Sequence, residues 1–355
     1  MTVTIIILLV GLAAANGAND VSKGVATLAG AGVVAYRTAI VWGALTTFAG
    51  ALLSIQLGRA MGSLFSKGIV DATPTATFAL AVLLGTTAWV GLASLLRLPV
   101  STTHAIVGSL VGAGLVLAPS SVQWHGVAKK VALPLLLSIV VAYGISVLLT
   151  IFVKFLLVPR RARKPAERQP VPVGGGSGEL ATTAVANEDQ AAAVEAELIP
   201  RRTDRVVNVL HWLSSGATGC ARGLNDTPKI AAIGGFALLP AGFSATGVSV
   251  LVAVSMALGS LAGVRVARTL GDKVLRMSHV EGLTANVTAA GLVGSGALLA
   301  LPMSTTHVST GAIVGTAGGQ PSRLSGRTLR DLAIAWTVTP VFAALVAAVV
   351  YTLAA

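Results

Sequence analysis

The sequence predicts an all-α polytopic membrane protein built from two homologous repeats, with broken helices and re-entrant hairpins. Of its 355 residues, 54% are apolar and only 11% are charged, whereas soluble domains carry about 25% charged residues. Apolar runs such as 131–158 and 332–355 are long enough to span a bilayer as helices. They lack the strict alternation of an outer-membrane barrel. Two polar motifs each occur twice in the same order, which predicts the duplication.

Chain length and charge narrow the class further. Outside one polar stretch, the chain has room for roughly ten to twelve apolar segments of about 20 residues. The formal net charge is +12, but the basic residues lie between apolar runs and do not form one patch. Membrane anchoring and orientation explain this distribution better than nucleic-acid binding does. The single cysteine, Cys220, excludes an internal disulfide.

The polar stretch, residues 159–205, is predicted to be a flexible linker. It contains a cluster of Pro and Gly between residues 165 and 178, and its basic residues crowd its two ends. Positive charge beside membrane segments favours the cytoplasmic side. We therefore expect an N-terminal transmembrane repeat (1–158), a cytoplasmic linker (159–205) and a C-terminal transmembrane repeat (206–355) in a multi-pass protein of the inner cell membrane.

Three collinear matches relate the two halves. Residues 17–26 (GANDVSKGVA) match 223–232 (GLNDTPKIAA), and residues 98–112 (LPVSTTHAIVGSLVG) match 301–315 (LPMSTTHVSTGAIVG). A weaker match of Gly, Leu and Arg positions lies between them. The copies could be parallel or inverted, because an inverted arrangement needs an odd number of crossings per half. Residues 1–35 could form one broken span or two, so the sequence leaves this open.

The first motif places a carboxylate inside each apolar half, at Asp20 and Asp226. Burial of an ionised carboxylate in lipid costs a few kcal/mol or more, so it indicates a partner or a function. Each Asp could simply neutralise the lysine three residues later, Lys23 or Lys229. That explanation does not account for the repeated asparagines. An Asn-Asp pair beside a local helix break offers the oxygen ligands of a hard cation such as sodium, and a carboxylate could equally bind a proton. The residues of this predicted cation site are Asn19, Asp20, Asn225 and Asp226.

The second motif predicts an anion site. A proline ends the preceding segment, and the following Ser or Thr caps a new helix. In a membrane this pattern resembles the turn of a re-entrant hairpin, where free N–H groups, hydroxyls and the positive end of the helix dipole face an anion. Alternatively, the hydroxyls only satisfy the backbone of a kinked helix. The candidate anion ligands are Ser101, Thr102, Thr103, Ser304, Thr305 and Thr306. His104 and His307 are interpreted as hydrogen-bonded supports in preference to proton carriers.

These motifs resemble the two copies of the signature and of the hairpin motif of the PiT family of inorganic phosphate transporters. The resemblance covers both halves and leaves out the linker. It implies an inverted-repeat fold, secondary active transport of inorganic phosphate coupled to sodium or protons, no cofactor and a homodimer in contact with lipid. It also implies that the six hydroxyl residues hold phosphate, that Asn19, Asp20, Asn225 and Asp226 form cation sites, and that Asp20 and Asp226 would bind sodium.

The sequence departs from the family pattern at two places. Family signatures often read GANDVANA, with a neutral residue where this chain has Lys23 and Lys229. Many members have a Glu where this chain has Asn286. We hypothesise that each lysine ammonium occupies or competes for the cation position beside its Asp; alternatively, the amines attract the anion. The lysines, Asn286 and the two histidines are therefore possible modulators.

Three other functions compete with phosphate transport. A permease for sulfate or another tetrahedral oxyanion would use similar donors. An intramembrane hydrolase could use the two Asp residues, or Ser101 with His104. However, an aspartyl dyad needs two different protonation states, and a Ser-His enzyme needs one asymmetric constellation, not two matched copies. We therefore expect no catalytic residues. Composition does not exclude a passive anion channel.

Overall fold

The computed structural model describes residues 1–71, 75–157, 201–275, 277–318 and 320–355, and within these ranges the chain is helical apart from turns and one isolated bridge between Val70 and Val122. This confirms the predicted fold class. Residues 159–200 of the predicted linker lie outside the described residues. Residues 201–205, which we assigned to the linker, begin a helix.

The first half contains one nearly continuous helical segment, a long helix with a short one after it, and a hairpin followed by a closing helix. In order, these are α1 (Thr2–Asp20), α2 (Ser22–Gly30), α3 (Tyr36–Leu57), α4 (Arg59–Lys67), α5 (Ala76–Leu95), α6 (Thr102–Leu117), a 3₁₀ turn (Pro119–Ser121), α7 (Trp124–Gly126), a π-helical turn (Val127–Ala132) and α8 (Leu133–Leu157).

The second half follows the same order of elements. Its members are α9 (Arg201–Leu238), α10 (Ala245–Ser260), α11 (Val264–Lys273), α12 (His279–Leu298), α13 (Thr305–Thr316), a 3₁₀ turn (Pro321–Arg323) and α14 (Gly326–Ala354). Thus α9 corresponds to α1 and α2, α10 to α3, and α14 to α8. The duplication that three short sequence matches predict therefore extends to the order of helices in each half.

Hydroxyl side chains fix where several helices begin. In each case the Ser or Thr oxygen accepts a hydrogen bond from the backbone N–H three residues later, which satisfies one of the free donors of the first turn. These N-caps are Thr75, Ser101, Ser244, Ser278, Ser304 and Ser325. The helices of the two hairpins thus begin at positions that local sequence dictates.

Fewer helices have the length and apolar composition of a bilayer span than the number of apolar residues suggests. Among the described residues, five helices are long and apolar enough to cross, and a sixth arises if α10 and α11, bent by 65°, are counted together. This count is lower than the roughly ten to twelve segments for which the chain has room, since α4, α6, α11 and α13 are each shorter than a bilayer-spanning helix. Residues 2–30 form a single candidate span of 29 residues, which favours one span over two for residues 1–35.

The hairpin of each half packs on the last helix of the other half. Helix α6 lies against α14, and α13 lies against α8. Glycines make the approach close: a Cβ on Gly108 would lie 2.2 Å from the carbonyl oxygen of Pro340, and a Cβ on Gly311 would lie 2.5 Å from that of Ile139. Small residues let helix backbones touch in lipid, and the two halves are consequently interlocked.

A second pair of contacts is also reciprocal. Helix α1 packs on α10 through Gly17, where a Cβ would lie 2.0 Å from the carbonyl oxygen of Met256. Helix α9 packs on α3 through Gly223, where a Cβ would lie 2.2 Å from the carbonyl oxygen of Thr47. The first helix of each half thus packs on the second long helix of the other half. Such reciprocity is the property of a two-fold relation.

An ionic cluster ties three elements together at the start of α12. The carboxylate of Glu281, 2% exposed, accepts two hydrogen bonds from Arg323, at 2.8 and 2.9 Å, and one from Lys154 at 3.2 Å. It also completes a capping box with Ser278. This cluster joins α8, α12 and the turn before α14.

We expect Glu281→Gln to lower the free energy of unfolding by about 1.5–3 kcal/mol, the usual contribution of a hydrogen bond to a charged group. The neutral amide keeps the shape but loses the charge that Arg323 and Lys154 share. Thermal unfolding in detergent measures this. The control is Asp331→Asn, which breaks an exposed pair with Arg330 and should change stability by less than about 0.5 kcal/mol. Equal effects of the two substitutions would contradict the structural role of the cluster.

Candidate functional site

The two hairpin turns begin their second helices as the motif predicts. The hydroxyl of Ser101 accepts a hydrogen bond from the backbone N–H of His104 at 3.3 Å, and that of Ser304 accepts one from His307 at 3.2 Å. Each serine is therefore the N-cap of its helix, and the free N–H groups of α6 and α13 lie at the turns. The N-terminal end of each helix carries a partial positive charge.

Each turn also contains a left-handed residue that the sequence does not reveal. Arg97 has φ of 63° and Ala300 has φ of 54°, a region that non-glycine residues rarely occupy. The two residues occupy equivalent positions in the repeats, just after α5 and α12. The left-handed conformation ends the helix, and the N–H of the next residue bonds back into its last turn: Leu98 to the carbonyl oxygen of Ala93, and Leu301 to that of Gly296.

The structure brings the two hairpin tips into direct contact. The hydroxyl of Thr306 donates to the carbonyl oxygen of Val100 at 2.7 Å, and the hydroxyl of Thr103 donates to that of Met303 at 3.5 Å. The imidazole rings of the two motif histidines lie 4.8 Å apart between centroids. The two Ser-Thr-Thr stretches thus form one pseudo-symmetric centre.

The first carboxylate lies within this centre. Asp20, 1% exposed, accepts hydrogen bonds from Thr305 of the opposite hairpin at 3.1 Å and from Asn16 at 3.3 Å, and it pairs with the ammonium of Lys23. Asn16 also donates to the hydroxyl of Thr102 at 3.0 Å. Asp20 therefore contacts residues of both halves.

The second carboxylate has a similar but looser set of partners. Asp226 Oδ1 accepts from Asn225 at 2.8 Å and from Lys229 at 3.3 Å. Lys229 also donates to the hydroxyl of Thr103 at 2.8 Å. Within the described residues, Asp226 Oδ2 is buried without a hydrogen-bond partner, and so is Asn225 Oδ1. Buried polar atoms normally have a partner, so these oxygens are free to contact a ligand.

The predicted asparagines hold the helices to the hairpins. Asn19 donates to the carbonyl oxygen of Leu98 at 2.9 Å and accepts from the backbone N–H of Val100 at 3.0 Å. Asn225 donates to the carbonyl oxygen of Met303 at 3.1 Å. The expected breaks at these positions are slight: α1 and α2 are separated only by Val21, which is itself helical, and α9 continues through Pro228. The backbone oxygens near the carboxylates come instead from the hairpin turns.

The centre is closed to solvent. The six predicted phosphate ligands are between 0% and 5% exposed; they are Ser101, Thr102, Thr103, Ser304, Thr305 and Thr306. Both carboxylates and both lysines are equally buried. The side chains of the centre therefore have almost no solvent-accessible surface in this structure.

The predicted modulators lie at different places. His307 contacts the carbonyl oxygen of Leu135 at 3.2 Å and its ring lies 4.3 Å from that of Trp336, so it packs as a support between hairpin and neighbouring helices. The ring of His104 is tilted by 53° to that of His307, and within the described residues its Nδ1 has no hydrogen-bond partner. Asn286 is buried on α12, where its backbone carbonyl accepts from Thr218 of α9, and no described hydrogen bond connects it to the hairpin tips.

Sequence reasoning missed Asn16 and Arg222. They occupy equivalent positions of the repeats, one helical turn before Asp20 and Asp226, and this spacing could have drawn attention to them. Arg222, 1% exposed, donates to the hydroxyls of Thr47 and Ser260. Its Nε and Nη1 have no described partner. The second half therefore adds a buried positive charge where the first half has a neutral amide.

This geometry can be set beside known proteins. Residues 16–347 match the phosphate transporter family. The chain belongs to that family. A relative from Rhizobium meliloti (strain 1021), named "Probable low-affinity inorganic phosphate transporter", is 27% identical over 97% of this chain and 96% of its own. One of the same name from Mycobacterium tuberculosis (strain ATCC 25618 / H37Rv) is 29% identical over 95% of this chain and 73% of its own.

The fold is also that of a phosphate transporter. A solved structure described as "The sodium-dependent phosphate transporter" superposes with a TM-score of 0.80, covering 99% of this chain and 98% of its own at 22% identity. Membership of a transporter family excludes the hydrolase alternative, so Ser101 with His104 is a helix cap and its neighbour, not a nucleophile and base. The residue-by-residue roles rest on the contacts described above.

Proposed function

We propose that the protein carries inorganic phosphate across the membrane by secondary active transport, coupled to sodium or protons. The observation that supports this most directly is the meeting of two hydroxyl-bearing helix N-termini, from α6 and α13, beside two buried carboxylates. Helix N-termini bind anions through free N–H groups. A relative and a structural neighbour are both named as phosphate transporters.

The donors fit a tetrahedral oxyanion held between the hairpins. The hydroxyl of Thr102 accepts from Asn16, which leaves its own proton to donate to an oxygen of the anion. A protonated phosphate oxygen can donate to Asp226 Oδ2, which has no partner among the described residues. Sulfate is not protonated near neutral pH and cannot make that bond. The carboxylate therefore favours phosphate over the alternative, sulfate.

Alternating access suits the interlocked architecture. Each hairpin packs on the last helix of the opposite half, so rocking of one half against the other moves both tips relative to the carboxylates. In this cycle a buried site is the expected intermediate between two open conformations. An inverted arrangement of the repeats, a homodimer, a cytoplasmic linker and residence in the inner cell membrane complete the proposal.

Uptake of radiolabelled phosphate into proteoliposomes tests this function. Sodium and proton gradients are imposed independently, with sulfate as competitor. We expect accumulation beyond electrochemical equilibrium under at least one gradient, and weak competition by sulfate. A passive anion channel cannot accumulate phosphate, so uptake that stops at equilibrium under both gradients would contradict the proposal. Equal competition by sulfate would favour the general oxyanion permease.

Thr102→Val should raise the KM for phosphate uptake by about tenfold or more, since a hydrogen bond to a charged group contributes about 1.5–3 kcal/mol. Valine keeps the shape of the side chain and removes the hydroxyl. Thr337→Val is the control, because Thr337 is exposed on α14 and bonds only within its own helix. An unchanged KM in Thr102→Val would remove this hydroxyl from the binding site.

A further inference from the structure

The two buried lysines have the oxygen neighbours that a bound metal cation would have. The ammonium of Lys23 contacts a carboxylate oxygen of Asp20, the amide oxygen of Asn19 at 3.1 Å and the carbonyl oxygen of Val100 at 3.2 Å. One negative oxygen, one neutral side-chain oxygen and one backbone oxygen surround it. Hard cations prefer oxygen ligands of these kinds.

The second lysine repeats the arrangement in the other half. The ammonium of Lys229 contacts Asp226 Oδ1 at 3.3 Å, the hydroxyl of Thr103 at 2.8 Å and the carbonyl oxygen of Met303 at 3.4 Å. Val100 and Met303 are equivalent residues of the two hairpin turns. Both ammonium groups therefore lie between a helix carboxylate and a hairpin tip.

The charge balance of the centre leaves little attraction for further cations. Its buried carboxylates, Asp20 and Asp226, are outnumbered by the buried cations Lys23, Lys229 and Arg222. With these five groups ionised, the formal net charge of the centre is positive before any ligand binds. Like charges that are close together in a low-dielectric interior repel strongly, whereas an anion entering the centre is attracted.

We infer that the ammonium groups of Lys23 and Lys229 are the built-in cations of the phosphate site, so that phosphate binds and crosses without sodium. This inference rests on the proposed function and specifies its coupling: sodium does not take part. The ammonium groups neutralise the carboxylates and bridge them to the hairpin tips, which is the role that a bound sodium ion would have. As side chains of α2 and α9, they remain covalently attached to the protein throughout the cycle.

The first test measures the KM for phosphate uptake into proteoliposomes of the unaltered protein, at fixed pH, with sodium replaced by choline at equal ionic strength. We expect the KM to change by less than about threefold, which is much less than the tenfold change that about 1.4 kcal/mol of binding free energy would cause. A larger rise in choline would overturn the inference. No uptake in any ionic condition would instead refute the proposed function, so the two failures are distinguishable.

The second test replaces both lysines, Lys23→Asn with Lys229→Asn. The carboxylates then lack their tethered cations, and we expect uptake to become sodium-dependent, with a KM at least about tenfold lower in sodium than in choline. A lysine that served only as a structural ion pair would leave the ratio of the two KM values unchanged, and that result would overturn the inference. Lys67→Asn, at an exposed position at the end of α4, is the matched control.

A measurement on the unaltered protein covers the case in which the double variant does not fold. A ligand that binds the folded state raises the melting temperature. We expect phosphate to raise it equally in sodium and in choline, and sodium alone to have the same effect as choline. A specific stabilisation by sodium would show that a cation site is open, which would overturn the inference.

Discussion

Asp20→Asn should abolish measurable phosphate uptake and destabilise the protein more than removal of Asp20 and Lys23 together. The substitution leaves the ammonium of Lys23 buried without its carboxylate, and breaking one partner of a buried pair costs about 3–5 kcal/mol. It also leaves one acceptor oxygen in place of two for the hydrogen bonds from Thr305, Asn16 and Lys23, and the bond from Thr305 connects α1 to the opposite hairpin. Thermal unfolding in detergent and proteoliposome uptake measure the two effects.

The double variant Asp20→Asn with Lys23→Asn provides the internal control. Two neutral amides remove the uncompensated charge, so the melting temperature should recover part of the loss while uptake stays low. A double variant less stable than Asp20→Asn alone would show that the ammonium does not depend on this carboxylate. Normal uptake by Asp20→Asn would exclude Asp20 from the transport site.

Gly17→Ala should strongly destabilise the fold, although it adds only one carbon atom. The new Cβ would lie 2.0 Å from the carbonyl oxygen of Met256 and 2.8 Å from the backbone nitrogen of Ser260. Backbone atoms cannot rotate aside, so α1 must separate from α10. Overpacking of this kind costs about 1–3 kcal/mol and occasionally more. Melting temperature and the fraction of monodisperse protein after purification measure it.

The same substitution at Gly91 on α5 is the matched control. Nothing lies within 4 Å of a Cβ built there, and alanine is favoured over glycine in a helix interior by about 1 kcal/mol. We therefore expect effects of opposite sign from two chemically identical changes. If Gly17→Ala were as stable as Gly91→Ala, the close contact of α1 and α10 would not exist.

The features that sequence could predict are those determined within a short segment. The helix caps at Ser101 and Ser304, the turn after each Leu-Pro and the carboxylates beside Lys23 and Lys229 all follow from neighbouring residues. Their repetition then predicted the two-fold duplication. The contact between the two hairpin tips cannot be derived from one segment alone, but the repetition of both motifs indicated that the tips are related.

The features that sequence could not predict depend on packing between the halves. The contacts of Arg222 come from α3 and α10, which are far from it in sequence. The left-handed residues Arg97 and Ala300 have side chains that give no sign of that conformation. The number of full spans could not be read from apolar content, because a helix in a hairpin and a helix that crosses have the same composition.

The interlocked hairpins have a consequence for biosynthesis. Gly108 and Gly112 of α6 pack against Pro340 and Ala344, which lie 232 residues later in the chain. Contacts of such long sequence separation form late and slowly. The first hairpin must therefore wait, incompletely packed, until α14 emerges. Maturation of the amino-terminal half thus depends on completion of the carboxyl-terminal half, and a truncation before α14 would leave both halves unfinished.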